Sequence, residues 1–262
     1  MRRVVALCLL LCLPLSLAPR SAIAGCPPIA GGDAALADVD PVERVVFIQD
    51  GMHAGVRKAR LWAWGWTGAH VAMAVGQLAL LPAFPKESWI DRYIGSAASL
   101  VGIASLWLAP LHILRDSPKL DKAIAAAGDL KAPGATEEAR CALVREAESL
   151  LLRDAANEDR VSSWWPHAAT LAFGLGLGLA LSLGFDRKEQ GALLGIASMT
   201  IGEVRLGTQP TDSVKLLRRY RSGSLRAPPE PARPWWTIAP AIIPGTGPAS
   251  GGGFGLSALV VY

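Results

Sequence analysis

Five residues lie in or beside apolar runs and are of types that could do chemistry: His70, His112, His167, Glu203 and Arg205. An ionisable side chain is costly to place among apolar neighbours, so each is a functional hypothesis by default. Glu203 is the sharpest case. Near the end of an apolar segment its carboxylate could shuttle a proton, pair with Arg205, or pair with a neighbouring helix. Residues two apart on a helix point to different sides, so a direct Glu203–Arg205 pair is disfavoured. An interfacial charge at the end of a helix is the plainer reading. His70, His112 and His167 each read as a hydrogen-bonded interhelical residue rather than a ligand. Glu203, Arg205, His70 and His167 together form the candidate polar site.

The four cysteines sort by position. Met1-Arg2-Arg3 is basic, Val4 to Ala18 is apolar, Pro19 to Ser21 break the run, and Ala22-Ile23-Ala24 is a small-x-small cleavage pattern. Residues 1–24 therefore read as a secretory signal, which removes Cys8 and Cys12. Cys26 and Cys141 remain, and in an oxidising compartment they are the candidate disulfide. Two free thiols are an alternative. So is a lipid on Cys26, since Ile23-Ala24-Gly25-Cys26 resembles a lipoprotein box.

No Gly-x-Ser-x-Gly, His-Glu-x-x-His, Walker or dinucleotide pattern is present, and no metal-ligand spacing exists. The sequence thus points to a non-enzyme without a cofactor. The formal net charge of +4 falls to +1 once Arg2, Arg3 and Arg20 leave with the signal, and no basic soluble face suggests nucleic acid.

The elements that must position these residues are apolar helices. Leu61 to Pro82 and Tyr93 to Leu114 are 22 residues each without a charge, and Val161 to Phe185 is 25. Each can cross a hydrocarbon core of about 30 Å, and tryptophans at the openings of the first and third fit an interfacial belt. Gln190 to Gly202 has only 13 uncharged residues and is read as a fourth span by repetition. Gly102-Ile103-Ala104-Ser105 recurs as Gly195-Ile196-Ala197-Ser198, and a basic-then-tryptophan entry precedes each pair. Each unit has an amphipathic approach helix, roughly Pro41 to Arg60 or Glu137 to Arg160, and then two spans.

The fold class expected is an all-α membrane protein of two repeated helical hairpins with a small C-terminal β-hairpin. Its parts are 1–24 signal, 25–114 first helix and hairpin, 115–160 exported loop and second amphipathic helix, 161–206 second hairpin, 207–234 basic Pro-rich linker and 235–262 β-hairpin. Within the linker, Val214, Leu217 and Tyr220 suit a short helix lying on anionic headgroups. Gly174-x-x-x-Gly178 and its neighbours offer faces for self-association or for other membrane proteins.

Topology carries a conflict. A cleaved signal exports residue 25 onward, and four spans then leave most Lys and Arg outside, against the positive-inside rule. Three spans would put the basic tail inside. The repeat favours four.

Ala59-Arg60-Leu61-Trp62 with Trp66, Asp91-Arg92, and Gly202-Glu203-Val204-Arg205-Leu206-Gly207-Thr208-Gln209-Pro210-Thr211 resemble an uncharacterised family of bacterial integral membrane proteins, over roughly residues 42 to 220. The resemblance implies a multi-span envelope protein and carries no catalytic residue across. The function expected is a non-enzymatic envelope scaffold or partner-binding subunit of the inner membrane, its partner surroundings being the lipid bilayer. A small transporter or channel subunit using Glu203 is the alternative, and an outer-membrane role through the C-terminal hairpin is a weaker one.

Overall fold

A computed structural model describes residues 26–132 and 134–226, and the backbone of 235–243 and 253–261. The expected signal, 1–24, and residues 227–234 of the expected linker lie outside the described residues. The body is all-helical, with a four-helix head from which two helical hairpins project on the same side.

Helix α1 spans Pro41–Ala79, 39 residues and about 58 Å at 1.5 Å per residue. Pro41 sits where a missing N–H costs nothing, and the Asp40 carboxylate accepts from the Val42 and Glu43 amides at 2.7 and 3.2 Å. The amphipathic stretch to Arg60 and the apolar run from Leu61 were expected as separate elements. Nothing between them breaks a helix, so they form one rod. Helix α2, Trp89–Leu108, runs back along it, and the chain re-enters the head as α3, Ile113–Ala127. The last residues of the expected second span therefore leave the hairpin, and Leu111 and Ile113 are buried beneath the head.

Helix α4, Glu137–Asp159, is capped by Thr136, which accepts from the Ala139 amide at 3.2 Å. A single turn, Arg160–Ser162, leads into α5, Trp164–Gly184. Its return partner α6 is Lys188–Gly207, a full 20 residues. The sequence had shown only 13, because the charges at both ends belong to the helix. Helix α7, Asp212–Arg221, closes the head. It does not present Val214, Leu217 and Tyr220 outward. Ser213, Leu216 and Tyr220 face inward and are buried, because Tyr220 finds polar partners in the head core. Strands β1 (Trp235–Ile243) and β2 (Gly253–Val261) pair antiparallel.

The head core comprises Leu36, Val45, Ile48, Met52, Leu120, Val144, Leu151 and Leu216 with their neighbours. Cys26 and Cys141 are joined in a disulfide with Cα atoms 5.2 Å apart, closing a separation of 115 residues. With its sulfur in that bond, Cys26 has none free for a lipid. Arg44 is wholly buried. Its Nε donates to the Tyr220 hydroxyl at 2.7 Å, its Nη1 to the Cys26 carbonyl at 2.9 Å, and its Nη2 to Glu148. Tyr220 donates to the same carboxylate.

Among the described residues, two helices are long and apolar enough to cross a membrane: α5, and the helix of the stretch Lys86–Ala127 whose apolar part is α2. The apolar half of α1 is not among them. Trp62, Trp64, Trp66, His70 and Gln77 dilute its hydropathy.

The two hairpins close differently. On α5, Gly174 and Gly178 lie against Gly195 and Gly191 of α6; a Cβ on Gly195 would come within 3.0 Å of the Gly174 carbonyl. The Gly-x-x-x-Gly face is thus occupied inside its own hairpin. On α2, Gly95 and Gly102 instead make room for Gln77 and His70 of α1. Gly195→Leu is expected to force α5 and α6 apart at about 1–3 kcal/mol, while Gly184→Leu, in open space, should be neutral. Thermal melts in detergent compare them; equal melting would contradict this packing.

Candidate functional site

The hairpins lie side by side with a cleft of about 940 Å³ between them. Its middle is apolar, lined by Leu106, Phe173, Leu194, Ala197 and Ile201. The tips are tied together, because Arg187 between α5 and α6 donates to Asp91 and to the Glu87 carbonyl, the latter at 2.7 Å. The mouth next to the head is polar, with Asn157, Arg160, Arg205 and Gln209.

Two of the four expected site residues meet in this cleft. Arg205, near the end of α6, reaches across to α2 and donates to the Ser105 hydroxyl at 2.6 Å. No carboxylate among the described residues pairs with it. His70 on α1 lines the same cleft. It is only 6% exposed, and neither ring nitrogen has a hydrogen-bonding partner among the described residues. The expectation of a bonded interhelical histidine is thus corrected. His70 packs instead against Trp66, with ring centroids 6.0 Å apart, and against Gly102, where a Cβ would fall 2.5 Å from the ring.

The other two form a separate pair. His167 Nδ1 of α5 lies 2.6 Å from Glu203 Oε2. Glu203 therefore pairs with the adjacent helix and not with Arg205, as the spacing of two implied. Neither Glu203 nor His167 lines the cleft.

The neck joins the motifs that carry the family resemblance. The indole N–H groups of Trp62 and Trp66 both donate to the Thr208 hydroxyl, at 3.3 and 3.2 Å. From the sequence these tryptophans fit an interfacial belt. The partner is a threonine some 140 residues away, a pairing that only the fold brings about.

The head holds a third group that sequence reasoning missed. His112, Asp116 and Asp154 place one ligand atom each within 4.8 Å of one another. Asp116 Oδ1 accepts from Lys119 at 2.9 Å and Oδ2 from Arg153 at 2.6 Å. With both its oxygens taken by cations, Asp116 is poorly placed to receive a metal ion. The second trio, Cys26, Glu137 and Cys141, has its sulfurs in the disulfide. The available signal was the spacing of four in His112–Asp116 and Asp154–Glu158, which stacks each pair on one helix face.

Burial, and next the neighbouring Asp116 carboxyl, push Asp154 up to about 8. Burial likewise raises Glu158 to about 7, even though it accepts from the Ser213 amide and hydroxyl and the Val214 amide at the start of α7. Asp116 moves the other way: burial opposes ionisation, but Arg153 and Lys119 outweigh it. A raised carboxyl binds a proton in the fold that the unfolded chain has released. Stability must therefore fall as pH rises from about 4 to about 8. Going from pH 5 to pH 8 is expected to destabilise the head by an amount on the order of 1–3 kcal/mol. Asp154→Asn should flatten that slope in thermal melts, and a wild-type head indifferent to pH would refute the assignment.

Comparison with family models, with curated proteins and with solved structures finds no match.

Proposed function

We propose that this chain is an integral protein of a bacterial inner membrane, with its helical head on the exported side, acting as a non-enzymatic scaffold or partner-binding subunit of the envelope. One observation carries the reading. Of the most apolar stretches of its two candidate spans, only 22% and 11% is buried, whereas the core helix of a soluble protein would be mostly buried. Leu100, Leu108, Leu175, Leu179 and Leu183 face outward, and an apolar surface of that extent calls for lipid or a partner.

Four spans fit best. Each hairpin leaves the head and returns to it, so α1 and α6 cross with α2 and α5. Gly102 and Gly195 of the shared tetrapeptide each face the preceding helix of their own hairpin, which favours a true repeat. Trp64, Trp107, Trp164 and Trp165 are exposed near the head, as an interfacial belt requires. The disulfide argues for an oxidising compartment around the head. The charge conflict then eases, because a folded domain crosses largely regardless of its Lys and Arg content. Lys86, Arg187 and Lys188 are left for the cytoplasmic tips. The family resemblance supports the same envelope placement, and the C-terminal hairpin would lie on the exported side.

Alkaline phosphatase fused after residues 86, 130, 188 and 230 tests this. Activity is expected at 130 and 230 and absent at 86 and 188. Inactivity at 230 alone would reduce the spans to three, and activity at 86 would overturn the orientation. The His167–Glu203 pair between α5 and α6, outside the cleft, keeps a transporter or channel subunit as the second reading. Proton or solute flux in proteoliposomes, abolished by Glu203→Gln, would favour it over the scaffold.

A further inference from the structure

We propose that the cleft between the hairpins binds an anionic lipid, a phosphate-headed amphiphile whose head is held by Arg205 and Arg160 and whose chain lies between the helices. This rests on the membrane reading above. The volume of about 940 Å³ is at the upper end of the roughly 300–1,000 Å³ of ligand pockets, and the middle of the cleft is apolar. From Arg205 to Arg187 at the tips is 18 residues, about 27 Å of helix. One leaflet is about 15 Å deep, so a chain fits without reaching the Arg187 bridge.

The charge at the mouth selects the head. Arg205 contacts only the neutral Ser105 hydroxyl. Arg160, in the turn before α5, opens on the same mouth, and no ion pair among the described residues involves it. A guanidinium withdrawn from water needs an anion, and its planar fork matches phosphate oxygens. His70 is an independent observation. It lies deeper along the same wall, more than nine-tenths buried, with both ring nitrogens unpartnered. An ester or hydroxyl oxygen below the phosphate would supply its missing partner. A neutral lipid would leave Arg205 unbalanced, and free phosphate would leave the apolar interior unfilled.

The test uses the full chain in mild detergent, titrated with lysophosphatidic acid, with a monoacylglycerol of the same chain length, and with inorganic phosphate. Tryptophan fluorescence reports binding, since Trp62 and Trp165 line the cleft. Lysophosphatidic acid is expected to bind at least ~10-fold tighter than the monoacylglycerol, with no saturable response to inorganic phosphate. Arg205→Gln should weaken the anionic lipid about 10- to 100-fold and leave the neutral one unchanged, with partial recovery in Arg205→Lys. If Arg205→Gln does not fold, Arg160→Gln gives the same comparison from an exposed position. Equal affinity for charged and neutral lipids, or phosphate alone matching the lipid, overturns the proposal. Carbonate extraction of membranes separates the two levels. A chain retained in the membrane that shows no lipid preference sinks this inference alone, and a chain released into solution sinks the membrane reading as well.

Discussion

Arg44→Met is expected to destabilise the head by about 3–5 kcal/mol, because it strands the Glu148 carboxylate in the core without a counter-charge. Arg44 has no solvent exposure and Glu148 is nearly as buried. Their contact is surrounded by further donors and acceptors: Tyr220, Cys26 and Pro27 all bond to one or other member. Burial, and then the Glu148 contact, push the Tyr220 phenol well up, so it stays protonated and donates to the carboxylate. Three other pieces of chain, at Cys26–Pro27, Glu148 and Tyr220, therefore meet on one guanidinium. The double replacement Arg44→Met with Glu148→Leu removes both charges and should recover most of the loss. Melting temperatures of the single and double variants in detergent decide it. A single variant as stable as the parent would mean that the pair is solvated and not buried.

The second large effect is loss of the disulfide. Serine at Cys26 or Cys141 opens a loop of 115 residues, and chain entropy alone puts the cost at about 4–5 kcal/mol. The two effects are coupled. Cys26 also lends its backbone carbonyl to Arg44, so opening the bond frees the segment that supplies two of the guanidinium's acceptors. Arg44→Met should then cost less in the Cys26→Ser background than in the parent. Additive costs would show that the N-terminal segment stays in place without its bridge. Melts with and without reductant give the first number, and the variant pair gives the coupling.

The apolar hairpins and the approach helices were legible because their signals are local. Charge-free runs and helical periodicity mark Pro41–Arg60, Leu61–Pro82 and Val161–Phe185 directly. Other features were hidden for identifiable reasons. Pro118 lies inside α3 and obscures a helix in what read as a loop. The outer charges of α6, Lys188, Glu189, Glu203 and Arg205, made a 20-residue helix look too short. For α7 the amphipathic pattern gave the helix but not the face, because the hydroxyl of Tyr220 belongs with Arg44 and Glu148 and draws that side inward. The candidate site was half visible. His70 and Arg205 could be singled out as ionisable groups in apolar sequence, yet only packing puts them on one cleft and assigns Glu203 to His167. Asp154 was invisible as a perturbed acid, since its neighbour Asp116 comes from another helix.

The unbroken course of α1 makes the two hairpins mechanically unequal. The first is fused to the head through a continuous rod, like a post set in its footing. The second hangs from two short joints, the turn Arg160–Ser162 and the Thr208–Thr211 corner, and is latched at its free end by Arg187. Any separation of α5 and α6 from the post would have to break the Arg187 contacts with Asp91 and Glu87 and the Arg205–Ser105 bond.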